Sequence, residues 1–296
     1  MPEIFGYLVG LFVGVVMGLL GGGGSLLLPA MLWVFLQDES VATAHTAFLV
    51  GVTALFGFIP RWRKKEVDWL TVLALGVPVS VGMLIARLWL IKWIQPVLFE
   101  IGSVEITKQM VILFPFVICL LLSFATMMGF AGKNVKPREN MRRDAPGTYY
   151  ASLVFYGLLI GAVPGLAGAG GGVLIVPLLV VLFGLPMKTV VGTSLAIVTM
   201  KSFIGFFGGD VYNLGAQIQW AFLAQFSILM IAGALIGAAL SNKIDPTKLK
   251  KIFAWFILSI AIFIVVKETS SAVNGKTKPV PTNLKAKQPN DGHKYF

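Results

Sequence analysis

A glycine ladder occurs twice in this chain, and it constrains the fold more than any other feature. Gly10, Gly14, Gly18 and Gly21 lead into Gly22, Gly23, Gly24 and Ser25, with Pro29 beyond. Gly157, Gly161, Gly165 and Gly168 lead into Ala169, Gly170, Gly171 and Gly172, with Pro177 beyond. The ladder glycines are offset by 147 and the prolines by 148, so one residue has slipped inside the run. Glycine-broken apolar segments at matching positions of two halves point to the binding site of a secondary transporter.

Composition sets the solvent. The chain is 57% hydrophobic and 12% charged, where a soluble domain carries about 25% charged residues. Its apolar runs approach or exceed about 18 residues, which predicts an all-α polytopic membrane protein. The net charge of +11 does not point to nucleic acid, because Lys and Arg gather in short loops and the tail, as the positive-inside rule produces. The start MPEIFGYLVG has neither a basic segment nor a small-residue cleavage site, so no signal peptide is expected. Cys119 lies in an apolar stretch and is expected to be a buried, inert thiol.

Six apolar stretches are long enough to span: about 41–59, 69–90, 106–131, 188–208, 217–242 and 248–267. Two more, about 3–36 and 150–185, are cut by the glycine runs into arms of roughly 13–18 residues, short for a span. The expected architecture is two inverted repeats, each a glycine-broken helical hairpin followed by three transmembrane helices. The boundaries are 1–132 for the first repeat, 133–148 for a basic cytoplasmic linker, 149–267 for the second repeat and 268–296 for a disordered polar tail. The likeness continues past the glycines. Ala44-His45-Thr46-Ala47 aligns with Gly192-Thr193-Ser194-Leu195 at the offset of 148, and Trp69 and Trp220 each begin the next span. Tryptophans at 33, 62, 69, 89, 93 and 220 fall at expected helix ends.

Loop 61–65 has four Lys/Arg, the linker 132–148 five and 243–251 four, while 37–40 and 209–219 have none. If each broken element leaves on the side it entered, all three basic loops are cytoplasmic, and the polar stretch from Lys267 onward, with six lysines, lies outside. If the elements cross once, the tail moves inside and 243–251 moves out. Short loops weigh most in the rule, which favours the first arrangement.

The ladder glycines 10, 14, 18, 157, 161 and 165 read as surfaces for close helix packing. The runs Gly21–Gly24 and Gly168–Gly172 break the helix, since each glycine costs about 1 kcal/mol relative to Ala. Broken backbone at membrane depth is tolerated where protein buries it or it lines a cavity. Freed N–H groups there suit an anion, although a structural kink is the alternative. Neither run fits a phosphate loop or G-x-G-x-x-G. Lys201 sits mid-segment, where an ammonium faces a cavity or partner. Arg87, near a span end, is expected to snorkel. His45 is placed to bind substrate, to carry a proton or to make an interhelical hydrogen bond. Its counterpart Thr193, and the equivalent pair Thr46 and Ser194, either face the ligand or bond their own helix carbonyls.

These residues resemble a known pattern. Two copies of a G-x-x-x-G ladder, a GGG run and a proline, followed by ATAHTA or VGTSLA and a tryptophan, resemble the TauE/SafE sulfite-exporter family of bacterial membrane proteins over about residues 5–265. The resemblance implies a bacterial inner-membrane transporter of a small anion: sulfite, an organosulfonate or a related organic acid. The substrate-binding candidates are Gly21, Gly22, Gly23, Gly24, Ser25, His45, Thr46, Gly168, Gly170, Gly171, Gly172, Thr193, Ser194 and Lys201. No cofactor, metal ion, catalytic residue or nucleic acid is expected. The expected partners are the anion and the bilayer, with a coupling proton and a homodimer left open. An anion channel is the competing reading. An intramembrane serine hydrolase built on Ser194 and His45 is a weaker one, because the G-x-S-x-G turn is incomplete and no acid is evident. A scaffold protein would need no duplicated break.

Overall fold

The computed structural model describes residues 2–33, 35, 37–86, 97–101, 104–129, 146–167 and 172–273. Gly168, Gly170, Gly171, Arg87, Trp89, Trp93 and most of the linker lie outside the described residues.

The first half opens with α1 (Pro2–Leu20), whose helix ends at Gly21. Gly21 has φ +78°, left-handed backbone that glycine adopts without strain, and its N–H closes on Met17 O at 2.8 Å. A 3-10 turn, Gly23–Leu26, leads into the short α2 (Leu27–Trp33). The chain reverses here. A Cβ placed on Gly23 would meet Val16 at 2.8 Å, and the Phe35 ring lies against Gly6 near the start of α1. Then come α3 (Glu39–Arg63), α4 (Trp69–Ile85), a hairpin of β1 (Val97–Ile101) and β2 (Val104–Thr107), and α5 (Lys108–Met128). The second half repeats the order without the hairpin. It runs α6 (Pro146–Ala167), α7 (Gly172–Pro177) continued by a π turn, α8 (Met187–Gly205), α9 (Trp220–Lys243) and α10 (Pro246–Val273). Phe183, after the π turn, packs edge-on against Tyr149 near the start of α6.

The packing exchanges partners between halves. α1 lies on α9 and α6 lies on α4, while α3 meets α8 and α5 meets α10. The glycine ladders make the first two contacts. Cβ atoms on Gly14 and Gly18 would strike the backbone of Met230 and Ala234, and one on Gly161 would strike Val79. Small residues of α9 and α4 reciprocate: a Cβ on Gly233 would strike Leu11 O, and one on Gly82 would lie 2.5 Å from Leu158 O. Each pair maps onto its counterpart by the same shifts, 147 for α1 to α6 and 151 for α4 to α9.

Helices of 24, 24, 24 and 21 residues (Ser40–Arg63, Met187–Asp210, Trp220–Lys243 and Pro246–Val266) are long and apolar enough to cross a membrane. The α3 and α8 windows are 61% and 72% buried, against 33% for α10, so α3 and α8 are the inner helices. The outer ones present apolar residues outward: Leu70, Leu73, Val77 and Val81 on α4, and Ile228, Leu235 and Ile236 on α9. Such an inside-out surface suits lipid contact. Trp62, Trp69 and Trp220 are about half exposed at helix ends.

Hydrogen bonds fix the ends. The α3–α4 turn meets the start of α8, where Glu66 O touches Gly192 and Asp68 N–H donates to Thr193 Oγ1 at 3.1 Å. This end carries Arg61, Arg63, Lys64, Lys65 and Lys188. At the other end His45, near the start of α3, accepts from Gln219 N–H ahead of α9 at 3.3 Å. From there α9 runs 24 residues to Lys243 at the basic end.

Several expectations change. The arms of the broken elements are unequal: α1 has 19 residues and α2 seven, α6 has 22 and α7 six before its π turn. The break therefore lies deep, at the far end of a nearly full-length helix. Cys119 is exposed on the outward side of α5, beside Ile118, Leu121 and Leu122. Residues 97–101 and 104–107 pair as strands, although 106 was expected to open a span. The β-branched and aromatic run favours that pairing. The segment expected as loop 209–219 stays helical to Leu214, and α10 continues past 267 to Val273.

Candidate functional site

Gly22 of the first glycine run meets Gly172, the last glycine of the second. A Cβ on Gly22 would lie 3.2 Å from both Gly172 O and Val173 Cα, and 3.3 Å from the Phe253 ring. One on Gly172 would lie 3.0 Å from Val198 of α8, and one on its counterpart Gly24 would lie 2.8 Å from Val50 of α3. Only glycine lets two backbones come this close. Gly23 and Gly24 open a helical turn, so their N–H groups have no partner within it.

The two inner helices, α3 and α8, carry buried polar side chains. Ser194 Oγ donates to Gly21 O at 3.3 Å and to Val191 O at 3.0 Å, tying α8 to the tip of the first broken element. Its counterpart on α3, Thr46, is 2% exposed, and its hydroxyl has no hydrogen-bond partner among the described residues. Seven residues further along each inner helix stand Thr53 and Lys201, offset by 148 from one another. Seven residues are about two turns, so each pair shares a face. Thr53 is fully buried with an unpartnered hydroxyl, and Lys201 is 5% exposed. An unmet buried hydroxyl costs about 1–3 kcal/mol and calls for an explanation.

His45 and Thr193 sit elsewhere in this scheme. His45 Nε2 accepts from Gln219 N–H, which leaves the proton on Nδ1, 2.9 Å from Gln37 Oε1. Thr193 accepts from Asp68 N–H. Gln219 and Asp68 each precede the tryptophan that begins a helix, so the two bonds are the same bond in the two halves, at opposite ends of the molecule. Both fasten an inner helix to the first turn of the other half's helix. His45 and Ser194 have separate partners and share no hydrogen bond. The backbone of Ser25 lies in the 3-10 turn.

Two buried polar residues were missed in the sequence. Thr53 could have been found from the offset of 148. Arg61 was counted with the surface charges of its loop, yet it is fully buried, with Nη1 donating to Glu66 Oε2 at 2.7 Å. No cluster of metal-ligating side chains occurs among the described residues.

The sequence is similar to known proteins. The sequence model of the family described as Sulfite exporter TauE/SafE matches residues 6–264. A probable membrane transporter protein, YjnA, of Bacillus subtilis (strain 168) is 28% identical over 261 residues, covering 85% of this chain and 95% of the relative. A probable membrane transporter protein of Xylella fastidiosa (strain Temecula1) is 26% identical, covering 88% and 94%. Another, from Haemophilus influenzae, is 28% identical, covering 88% and 97%. No solved structure matches. The chain belongs to the TauE/SafE sulfite-exporter family, whose members are membrane transporters and not enzymes, and it is a multi-pass protein of the bacterial inner membrane.

Proposed function

We propose that the chain is a secondary transporter of a small anion, either sulfite, an organosulfonate or a related organic acid. The anion binds where the two glycine breaks meet. The observation that carries this reading is the contact of Gly22 with Gly172; α3, whose Val50 packs on Gly24, carries the unpartnered buried hydroxyls of Thr46 and Thr53. Backbone N–H groups freed by the breaks, the Thr46 hydroxyl and the Lys201 ammonium are donors and a charge that suit an oxyanion, and Ser194 holds the first break through Gly21 O. Gly168, Gly170 and Gly171, of the same run as Gly172, complete the proposed set of site glycines.

The two halves act as inverted repeats whose hairpins enter from opposite sides. The exchanged helix partners and the return of Phe35 to Gly6 and of Phe183 to Tyr149 support this. The basic end faces the cytoplasm, following the distribution of Lys and Arg. Alternating access then amounts to rocking about the broken backbones, with the site fixed between them.

The test is flux across reconstituted vesicles for sulfite, sulfoacetate, sulfate and small carboxylates. Saturable movement of at least one anion, lost in Gly23→Leu protein that still inserts, is expected. Normal flux in that variant would remove the glycine break from the site. Flux that does not saturate would make the protein a channel.

A further inference from the structure

Arg61 is the largest fully buried side chain in the described structure, and only part of it is used. Nη1 is paired with Glu66, while Nε and Nη2 are buried with no hydrogen-bond partner among the described residues. These two nitrogens are not scattered. In a guanidinium, Nε–H and one N–H of Nη2 point the same way along one edge of the plane, forming the fork that grips two oxygens of one oxyanion. Buried charged donors are costly to leave unmet, more so than neutral ones. A fully buried cation with an open fork therefore points to a ligand.

The position agrees. One turn before Arg61 on α3, Gly57 faces Gly18 of α1, a Cβ there lying 3.7 Å from Gly18 Cα. A Cβ on Gly192 of α8 would strike Glu66 O and lie 3.2 Å from Arg61 Cβ, and Val191 and Ser194 beside it hold Gly21. Arg61 thus stands within about one helical turn of the first glycine break, on its basic side. Glu66 lies on the α3–α4 turn with its side chain 21% exposed, so it holds the guanidinium from the solvent side. The second half has nothing equivalent: the offset of 148 sets Gly209 opposite Arg61.

We infer that the Nε/Nη2 edge of Arg61 binds the carboxylate, sulfonate or sulfite group of the transported anion at the basic side of the first glycine break, with Glu66 as the residue that positions it. This rests on the transport reading above and adds a contact that belongs to one side only. An anion approaching from the basic end meets a bidentate cation, and one approaching from the other end does not.

The experiment uses full-length protein in vesicles, with sulfite and sulfoacetate as probes presented at the basic side. Arg61→Lys keeps the charge and loses the fork. It raises the half-saturating concentration by about tenfold or more, the loss expected for a charge-assisted hydrogen bond, with the maximal rate largely kept. Glu66→Gln leaves the fork in place and removes the competing negative charge, so it lowers the half-saturating concentration. From the opposite side both variants match wild type in half-saturation. If Arg61→Lys and Glu66→Gln both lower thermal stability but leave half-saturation unchanged, the pair is structural and the inference is overturned. Restoration of wild-type affinity by the exchanged pair Arg61→Glu with Glu66→Arg would overturn it as well. Wild-type protein that moves neither probe nor any other anion of the panel would instead defeat the transport reading, and this inference with it.

Discussion

Alanine at position 21 should destabilise the protein in a way that depends on Ser194. Gly21 sits at φ +78°, where a side chain costs about 1–2 kcal/mol. The added Cβ would also fall on Ser194 Oγ and within 3.1 Å of Val191 O. The Ser194 hydroxyl would have to swing away, losing its bond to Gly21 O, worth about 0.5–1.5 kcal/mol. Gly21→Ala should therefore cost about 2–3 kcal/mol, and Ser194→Ala about 1 kcal/mol. In the double variant the crowding disappears and the hydrogen bond is lost only once. It should cost about 1 kcal/mol less than the sum of the single variants. The assay is unfolding of purified protein in detergent, with flux in vesicles alongside. Additive costs would mean that Gly21 and Ser194 do not touch. A Gly21→Ala protein as stable as wild type would refute the reasoning from backbone conformation.

Cysteines introduced in 209–219, in a Cys119→Ser background, should react with an impermeant reagent from outside, and those in 243–251 should not; the reverse would place the basic end outside. Lys201→Met should weaken anion flux sharply and Lys201→Arg should retain part of it, because charge is kept; unchanged flux in Lys201→Met would make the ammonium structural. Gly14→Leu and Gly161→Leu should both lower the yield of folded protein, since each side chain would strike the backbone of the other half; normal yield in either would contradict the exchanged packing.

Much of this was legible in the sequence because it was written twice. The offsets of 147 and 148 marked the breaks, and the i, i+4 ladders marked faces for close helix approach. Which helix would approach could not be read. A small-residue stripe fits any partner with a matching surface, and α1 packs on α9 of the other half, not on its own. The roles of His45 and Thr193 were hidden for a related reason. Their hydrogen bonds run to backbone N–H groups 174 and 125 residues away, and sequence pattern records side-chain type, not distant backbone. Arg61 was misread because a basic residue at the end of an apolar helix normally reaches water. It is buried here because the turn to Glu66 folds over it, closed by Glu66 N–H to Arg61 O at 3.0 Å. The unequal arms follow from α1 continuing helical up to Gly21, with no residue in Pro2–Leu20 forced to break it.

The central claim is that the two glycine breaks meet and that the anion passes there. The most direct measurement pairs Gly22→Cys with Val173→Cys in a Cys119→Ser background, following cross-linking and flux in the same vesicles. Gly22 has φ −138°, which accepts a side chain, and its Cβ position lies 3.2 Å from Val173 Cα. The account predicts that oxidation joins the two cysteines within one chain, that flux stops, and that reductant restores it. Failure to cross-link would show that the breaks do not meet, and a cross-linked protein moving anion at its full rate would show that they are not the path.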